Sequence, residues 1–380
     1  MIPPTSTNTR FEPALGCQHC FAQEACGGFY HPGNLDCLTY CCNKPASCSY
    51  LCPRNNNFIA IWRDTDGLDI KIKALQQHYD RLPAYIPLIQ HGSKRCGELE
   101  VPIAAITTFS ATRRDQVTRD MLRDPVRMRQ RYRLTPTTPI ILSSIAKDAK
   151  LERYWRDRRH HRVIEGIKSL APVHVIAPNF SLFRDVPRFD NLANIKRSLL
   201  CAEELSTAGL SVIPYIAGIT GHDWERWAGF LREHTTIRMV CKEFQTGPSS
   251  NIKGAWHIAR LEELQQCTGR ALHLIAIGGR RHLPRLRAFP DLTVIDSVPF
   301  MRTMHRRILN TGGWSPAPST ANAPLDDLLT HNITAYRARI SDLRERPPMA
   351  RRPPRPMTNA NPNQLALWQS GDTAPIAASA

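Results

Sequence analysis

SVIPYIAG (211–218), IRMVCKEF (237–244), LHLIAIGG (272–279) and LTVIDSV (292–298) are four short, almost continuous apolar runs. Runs of this length, rich in Val and Ile, are expected of parallel strands buried on both faces. Between the first two lies HDWERWAGFLREH, which sets Trp224, Trp227 and Phe230 or Leu231 on one helical stripe. The same alternation runs upstream through YIPLIQ (85–90), VPIAAITT (101–108), PIILSSI (139–145) and VHVIAP (173–178). NLANIKRSLLCAEELSTAGL aligns Leu192, Ile195, Leu199, Ala202 and Leu205, and Gly209 stops that helix. Eight strands with interleaved helices over residues 85–312 predict an α/β fold, a (β/α)8 barrel of TIM type. The first two strands stand too close for a full helix, so the first unit is irregular or the true count is seven. An open doubly wound sheet is the alternative. No glycine-rich phosphate loop follows the first strand, and GITG and IGGRRH do not supply one.

Around this region the chain divides further. Residues 1–56 are rich in Cys, Gly, Asn and Pro, and residues 57–84, with the amphipathic IKIKALQQHYDRL, predict a connecting helix. Residues 322–346 predict a C-terminal helix, with Pro324 suited to its start and Leu325, Leu328, Leu329, Tyr336, Ile340 and Leu343 as its packing face. Residues 347–380 are Pro-rich and polar and are expected to be disordered.

Hydrophobic residues make up 42% of the 380, enough for a sizeable core. Lys and Arg number 50 against 33 acidic residues, a formal charge of +17 that attracts polyanions. No apolar run is long enough to span a membrane, and MIPPTSTNTRFEP lacks the order of a signal peptide. A cytoplasmic location follows as the expectation, and there thiols stay reduced.

Of 12 cysteines, eight lie within 36 residues: Cys17, Cys20, Cys26, Cys37, Cys41, Cys42, Cys48 and Cys52. Thiolates so spaced are expected to wrap zinc or a [4Fe–4S] cluster, with His19 and His31 as alternates. The plain alternative is a set of unligated buried or redox cysteines.

Three segments are arginine-rich. TRRDQVTRDMLRDPVRMRQRYR carries Arg113, Arg114, Arg127 and Arg129; RYWRDRRHHR carries Arg158 and Arg159; GGRRHLPRLR carries Arg280 and Arg281. Arginine suits phosphate contact, and Tyr132, Tyr154 and Trp155 are placed to stack on bases. The alternative is a solvated surface in which acidic neighbours neutralise about half of these arginines. In the tail, Gln364, Leu365, Leu367 and Trp368 resemble the bacterial sliding-clamp-binding motif, with Trp368 where that motif usually has Phe. The alternative is a tail that docks on its own domain.

HLIAIGGRRHLPRL followed by Asp296-Ser297-Val298-Pro299-Phe300-Met301-Arg302, and VIPYIAGITGHDWERW before it, are similar to segments of the tRNA-guanine transglycosylase family and its DNA-modifying relatives. The resemblance spans roughly residues 173–310. It implies a barrel that exchanges guanine for a 7-deazaguanine-type base, with Asp296 as nucleophile and Arg302 at the family's spacing. It also implies base contacts from Gly218 and Gly221, and polar substrate contacts from Asn179, Asp185 and Asp190 in VIAPNFSLFRDVPRFDN. The chemistry is coherent: one carboxylate attacks the anomeric carbon and a second, Asp185, moves the proton on the base. The alternative for Asp296 is a helix cap or an ion pair with Arg302 or Arg306. The leading expectation is thus a transglycosylase acting on DNA rather than tRNA. Two others stand beside it: a non-catalytic DNA-binding accessory protein with a structural metal site, and an iron–sulfur redox enzyme.

Overall fold

The computed structural model describes Glu24 and residues 57–345, except Ala74, Asp80, Gly92, Ser93, 113–122, His160, His161, 184–187, Ser250, Arg287, Ala288 and 318–323. All eight expected strands form, each shorter than its apolar run. They are β1 (Tyr85–Pro87), β2 (Ala104–Thr107), β3 (Ile140–Ser143), β4 (His174–Ile176), β5 (Val212–Ile213), β6 (Met239–Glu243), β7 (His273–Ile277) and β8 (Asp291–Asp296). Every pairing among them is parallel.

The closed eight-stranded barrel expected from that count does not form. The strands assemble into two four-stranded sheets, ordered β2-β3-β4-β5 and β1-β8-β7-β6. Among the described residues the sheets meet through isolated parallel bridges, Leu88 to Ala105 and Tyr215 to Cys241, in place of a ladder. Proline supplies a physical reason at both junctions. Pro87 ends β1 and Pro214 follows β5, and neither has an N–H to extend a ladder. The β1–β2 connection also contains no helix among the described residues.

At the β5–β6 junction a strap takes over the work of the missing ladder. The amphipathic stretch expected to be helical is helical only before its start, in α1 (Asn57–Thr65). Residues 75–79 run without regular structure across the junction. Gln77 there donates its amide to the carbonyls of Val212 (3.1 Å) and Met239 (2.9 Å). Its side-chain oxygen accepts from the N–H groups of Arg238 (2.7 Å) and Met239 (2.6 Å). One side chain thus joins the last strand of one sheet to the first of the other.

Helices pack around the strands: α2 (Thr108–Ala111), α3 (Pro125–Tyr132), α4 (Asp148–Asp157), α5 (Val163–Ser169), α6 (Arg188–Thr207), α7 (Gly221–Glu233), α8 (Asn251–Thr268), α9 (Leu283–Leu286), α10 (Val298–Met304) and α11 (Leu325–Glu345). Gly209, at φ +86°, ends the α6 region in the left-handed conformation that glycine adopts without strain. An antiparallel hairpin, β9 (Arg307–Asn310) with β10 (Gly313–Pro316), precedes α11. Because the strands are parallel, their C-terminal ends bring Ser144, Asn179, Gly218, Glu243, Gly278 and Asp296 to one end of the sheets.

Candidate functional site

Asp296 is the last residue of β8, and it is 2% exposed. One carboxylate oxygen accepts from the Val298 N–H at 2.8 Å, at the start of α10. The other accepts from the Tyr336 hydroxyl of α11 at 2.8 Å. Burial raises its carboxyl pKa, and the Tyr336 and Val298 bonds and nearby Arg280 pull it back only in part. The register explains its direction. Asp296 pairs with Pro87, two places on from the Val294–Tyr85 pair, so it shares the sheet face of Tyr85. That face packs on α11, where the Tyr85 and Tyr336 rings meet at 5.0 Å. Asp296 therefore stands one place before Ser297, the N-cap of α10, holds that helix's first N–H, and ties β8 to α11. No ion pair joins it to Arg302 or Arg306 among the described residues; both of those are exposed.

The other residues implied by the transglycosylase resemblance disperse. Asp185 lies outside the described residues. Asn179 uses its side-chain oxygen on the Ala146 N–H (2.9 Å). Gly221 opens α7 and is exposed, whereas Gly218 is buried against Trp224. Asp190, in the first turn of α6, lines a cavity of ≈ 310 Å³ with Asp64, Glu152, Asn194 and Arg197. Burial raises the Asp190 carboxyl pKa.

The arginines fall into two sets. In the 153–162 segment Arg158 and Arg159 both pair with Glu204 (2.9 and 2.8 Å) and Arg156 with Asp157 (2.7 Å), while Arg153 and Arg162 are exposed and form no ion pair among the described residues. Arg158 also lies 3.2 Å from the ring centre of Trp155. Tyr132, Tyr154 and Trp155 are core residues and are not available to stack on bases. Arg129 donates to the carbonyls of Thr138 and Pro125, both at 3.0 Å. Arg127 is exposed, and Arg113 and Arg114 lie outside the described residues.

The second set follows β7 and β8. Arg280 and Arg281 lie in a single 3-10 turn behind the left-handed Gly279, Arg285 lies in α9, and Arg302 and Arg306 lie in and just after α10. All five are exposed, and none forms an ion pair among the described residues, though Arg280 acts electrostatically on the buried Asp296 carboxyl. These elements adjoin: α10 packs on α11, and α9 touches it. Arg280 and Arg339 both act electrostatically on Tyr336 and offset part of the rise that burial gives its phenol pKa.

Sequence reasoning missed Lys242. It stands beside Glu243 at the end of β6, 3% exposed, and burial pulls its pKa down to about 8. A lysine near the end of an otherwise apolar strand run was the available signal. The eight clustered cysteines and the clamp-like tail lie outside the described residues. Among the described residues no group of His, Cys, Asp and Glu is arranged to hold a metal, and no helix is long and apolar enough to cross a membrane.

A family model described as a domain of unknown function (DUF4417) matches residues 114–226. The match covers α3 to the start of α7, and so includes Asn179, Asp190, Gly218 and Trp224 but neither Lys242 nor Asp296. No curated protein matches the chain.

Proposed function

We propose that this chain binds nucleic acid, DNA in the first instance, through the arginines that follow β7 and β8. One observation carries the reading. In a chain of net charge +17, these five arginines are exposed and form no ion pair among the described residues, whereas Arg156, Arg158 and Arg159 of the 153–162 segment are held by Asp157 and Glu204. Guanidinium groups without carboxylates are free to make bidentate phosphate contacts. The test is binding of duplex DNA and of tRNA across a salt series. Replacing Arg280, Arg281, Arg302 and Arg306 together by Ala weakens binding and flattens the slope of log K against log salt. Each lost phosphate contact lowers that slope by about 0.9 on duplex DNA. Replacing Arg156 and Arg159 leaves the slope unchanged. An unaltered slope in the fourfold variant removes this surface from the interface.

A second reading adds base exchange to that surface. What favours it is the place of Asp296, a carboxyl at a strand end on which Arg280 acts electrostatically. Attack on an anomeric carbon would require Asp296 to release Tyr336, since both of its oxygens accept hydrogen bonds. The same proteins, assayed for guanine exchange into DNA and tRNA, decide it: exchange lost in Asp296→Asn keeps the reading, and exchange retained there removes the nucleophile. The sliding clamp as a partner, through Gln364, Leu367 and Trp368, and zinc or an iron–sulfur cluster on the N-terminal cysteines, belong to the same proposal.

A further inference from the structure

The helices outside the sheets leave a cavity of ≈ 310 Å³ between α1, α4 and α6. Ile61, Ala193 and Trp155 form its apolar wall. It opens to solvent, since Asp64 and Glu152 on its wall are exposed. Three carboxylates and one guanidinium complete the lining. The guanidinium is fixed. Arg197 donates to both oxygens of Glu152, at 2.9 and 2.6 Å, and to the Asn194 side-chain oxygen at 3.0 Å. Its Cζ lies over the Phe180 ring, 4.2 Å from the centre. Asp64 accepts from the Trp155 indole N–H at 2.6 Å, which ties α1 to α4.

Asp190 is the exception on this wall. It is half-buried in the first turn of α6 and has no hydrogen bond or ion pair among the described residues. Burial raises its carboxyl pKa, and no cation or donor among the described residues offsets that. The chain carries 50 Lys and Arg side chains, yet packing brings none of the described ones to Asp190. Arg197 cannot turn to it without releasing Glu152 and Asn194. The dipole of α6 favours an anion in its first turn but does not fill the space beside it.

We propose that this cavity binds the charged end of a small organic cation, an alkylammonium or alkylguanidinium, through Asp190. One ligand N–H is donated to Asp190. The charge is shared with Asp64, whose second oxygen holds no hydrogen bond among the described residues. The methylenes lie along Ile61, Ala193 and Trp155. An anion would meet an excess of carboxylate on this wall. A metal ion fits poorly, since among the described residues no three His, Cys, Asp or Glu groups are arranged to hold one. Ligand sites run from about 300 to 1,000 Å³, so this cavity takes a small molecule. Residues 114–226, which match the family model, supply the α4 and α6 walls, and α1 closes the cavity from outside that match. The site shares no residue with the arginines that follow β7 and β8, so it does not rest on the nucleic-acid reading.

The experiment uses the full chain labelled with ¹⁵N and reads the indole N–H of Trp155, which is bonded to Asp64 in the cavity wall. The chain has seven tryptophans, and the indole signal missing in Trp155→Phe belongs to Trp155. Butylammonium and butylguanidinium are titrated separately at constant ionic strength against sodium chloride, with 1-butanol, butyrate and magnesium as comparison solutes. We expect at least one of the two organic cations to move the Trp155 signal saturably. Movement by butylammonium alone assigns an amine ligand, by butylguanidinium alone a guanidine, and by both an organic cation of either kind. Asp190→Asn keeps the shape of the side chain and removes its charge. It weakens that binding at least tenfold while the other indole signals stay in place. A Trp155 signal that neither cation moves overturns the proposal, as does an Asp190→Asn chain that binds as tightly as the unaltered one. Equal movement by 1-butanol or butyrate overturns it too, because the cavity then selects the alkyl chain, and equal movement by magnesium overturns it in favour of a metal ion. Should the Asp190 variant not fold, the titrations of the unaltered chain decide the question by themselves.

Discussion

At the scale of single residues, burial and pairing decide which charges matter. Arg95 has a side chain with 0% exposure, and its Nε donates to Asp326 at 2.8 Å. The second Asp326 oxygen accepts from the Cys96 and Gly97 N–H groups, both at 3.0 Å. Burial alone would raise the Asp326 carboxyl pKa, but those two N–H groups and Arg95 together bring it below its ordinary value. The folded state therefore binds fewer protons than the unfolded chain. Stability from this group is present above the unfolded carboxylate range, about pH 3.9, and is lost as pH falls through the lower folded value. Asp326→Asn is expected to flatten the acid limb of stability in urea melts. At neutral pH it should cost about 3 kcal/mol, because Arg95 stays buried with only carbonyl partners. An acid limb identical to that of the unaltered chain would show that Asp326 does not set it. Nothing local in the sequence signals this pair, whose members stand 231 positions apart. Asp296 is the converse: its place at a strand end was legible, but its hydrogen bond to Tyr336 was not.

At the scale of elements, helices with strong local signals form where expected. α6 and α7 carry clear apolar stripes, and Thr220 with Asp223 completes a reciprocal cap at the α7 start. IKIKALQQHYDRL has an equally amphipathic pattern and is not helical, because its backbone and Gln77 are recruited across the β5–β6 junction. There the N–H groups of Gln76 and His78 find the hydroxyls of Ser206 (2.6 Å) and Ser211 (2.9 Å). Gln77→Ala removes four hydrogen bonds at once and leaves two backbone N–H groups of β6 and its approach without that acceptor. It is expected to cost about 2–3 kcal/mol. Hydrogen exchange at Met239 should quicken more than at Ile275, which lies inside a continuous ladder. Equal exchange at both positions would show that the strap does not hold the junction.

At the scale of the whole molecule, net charge and the cysteine block are properties of composition, and both lead to measurements on the intact chain. Eight cysteines in 36 residues predict bound metal after purification. Stoichiometric zinc in a colourless protein assigns zinc; iron with sulfide and a brown colour assigns a cluster; neither metal leaves the cysteines unligated. The sequence by itself determined the strand runs, their parallel character, the stop of α6 at Gly209 and the excess of arginine, because hydrophobic periodicity, turn residues and charge are local. Only the tertiary structure decided that the eight strands divide into two sheets, since that depends on whether two prolines meet a neighbour's carbonyl at the junctions. It alone decided that Arg158 and Arg159 share one carboxylate, since Glu204 must be brought to them from 46 and 45 positions away. It alone set the buried Lys242 Nζ 5.4 Å from the ring centre of Tyr215 and 5.9 Å from that of Trp224, because such burial arises only when strands and helices pack together.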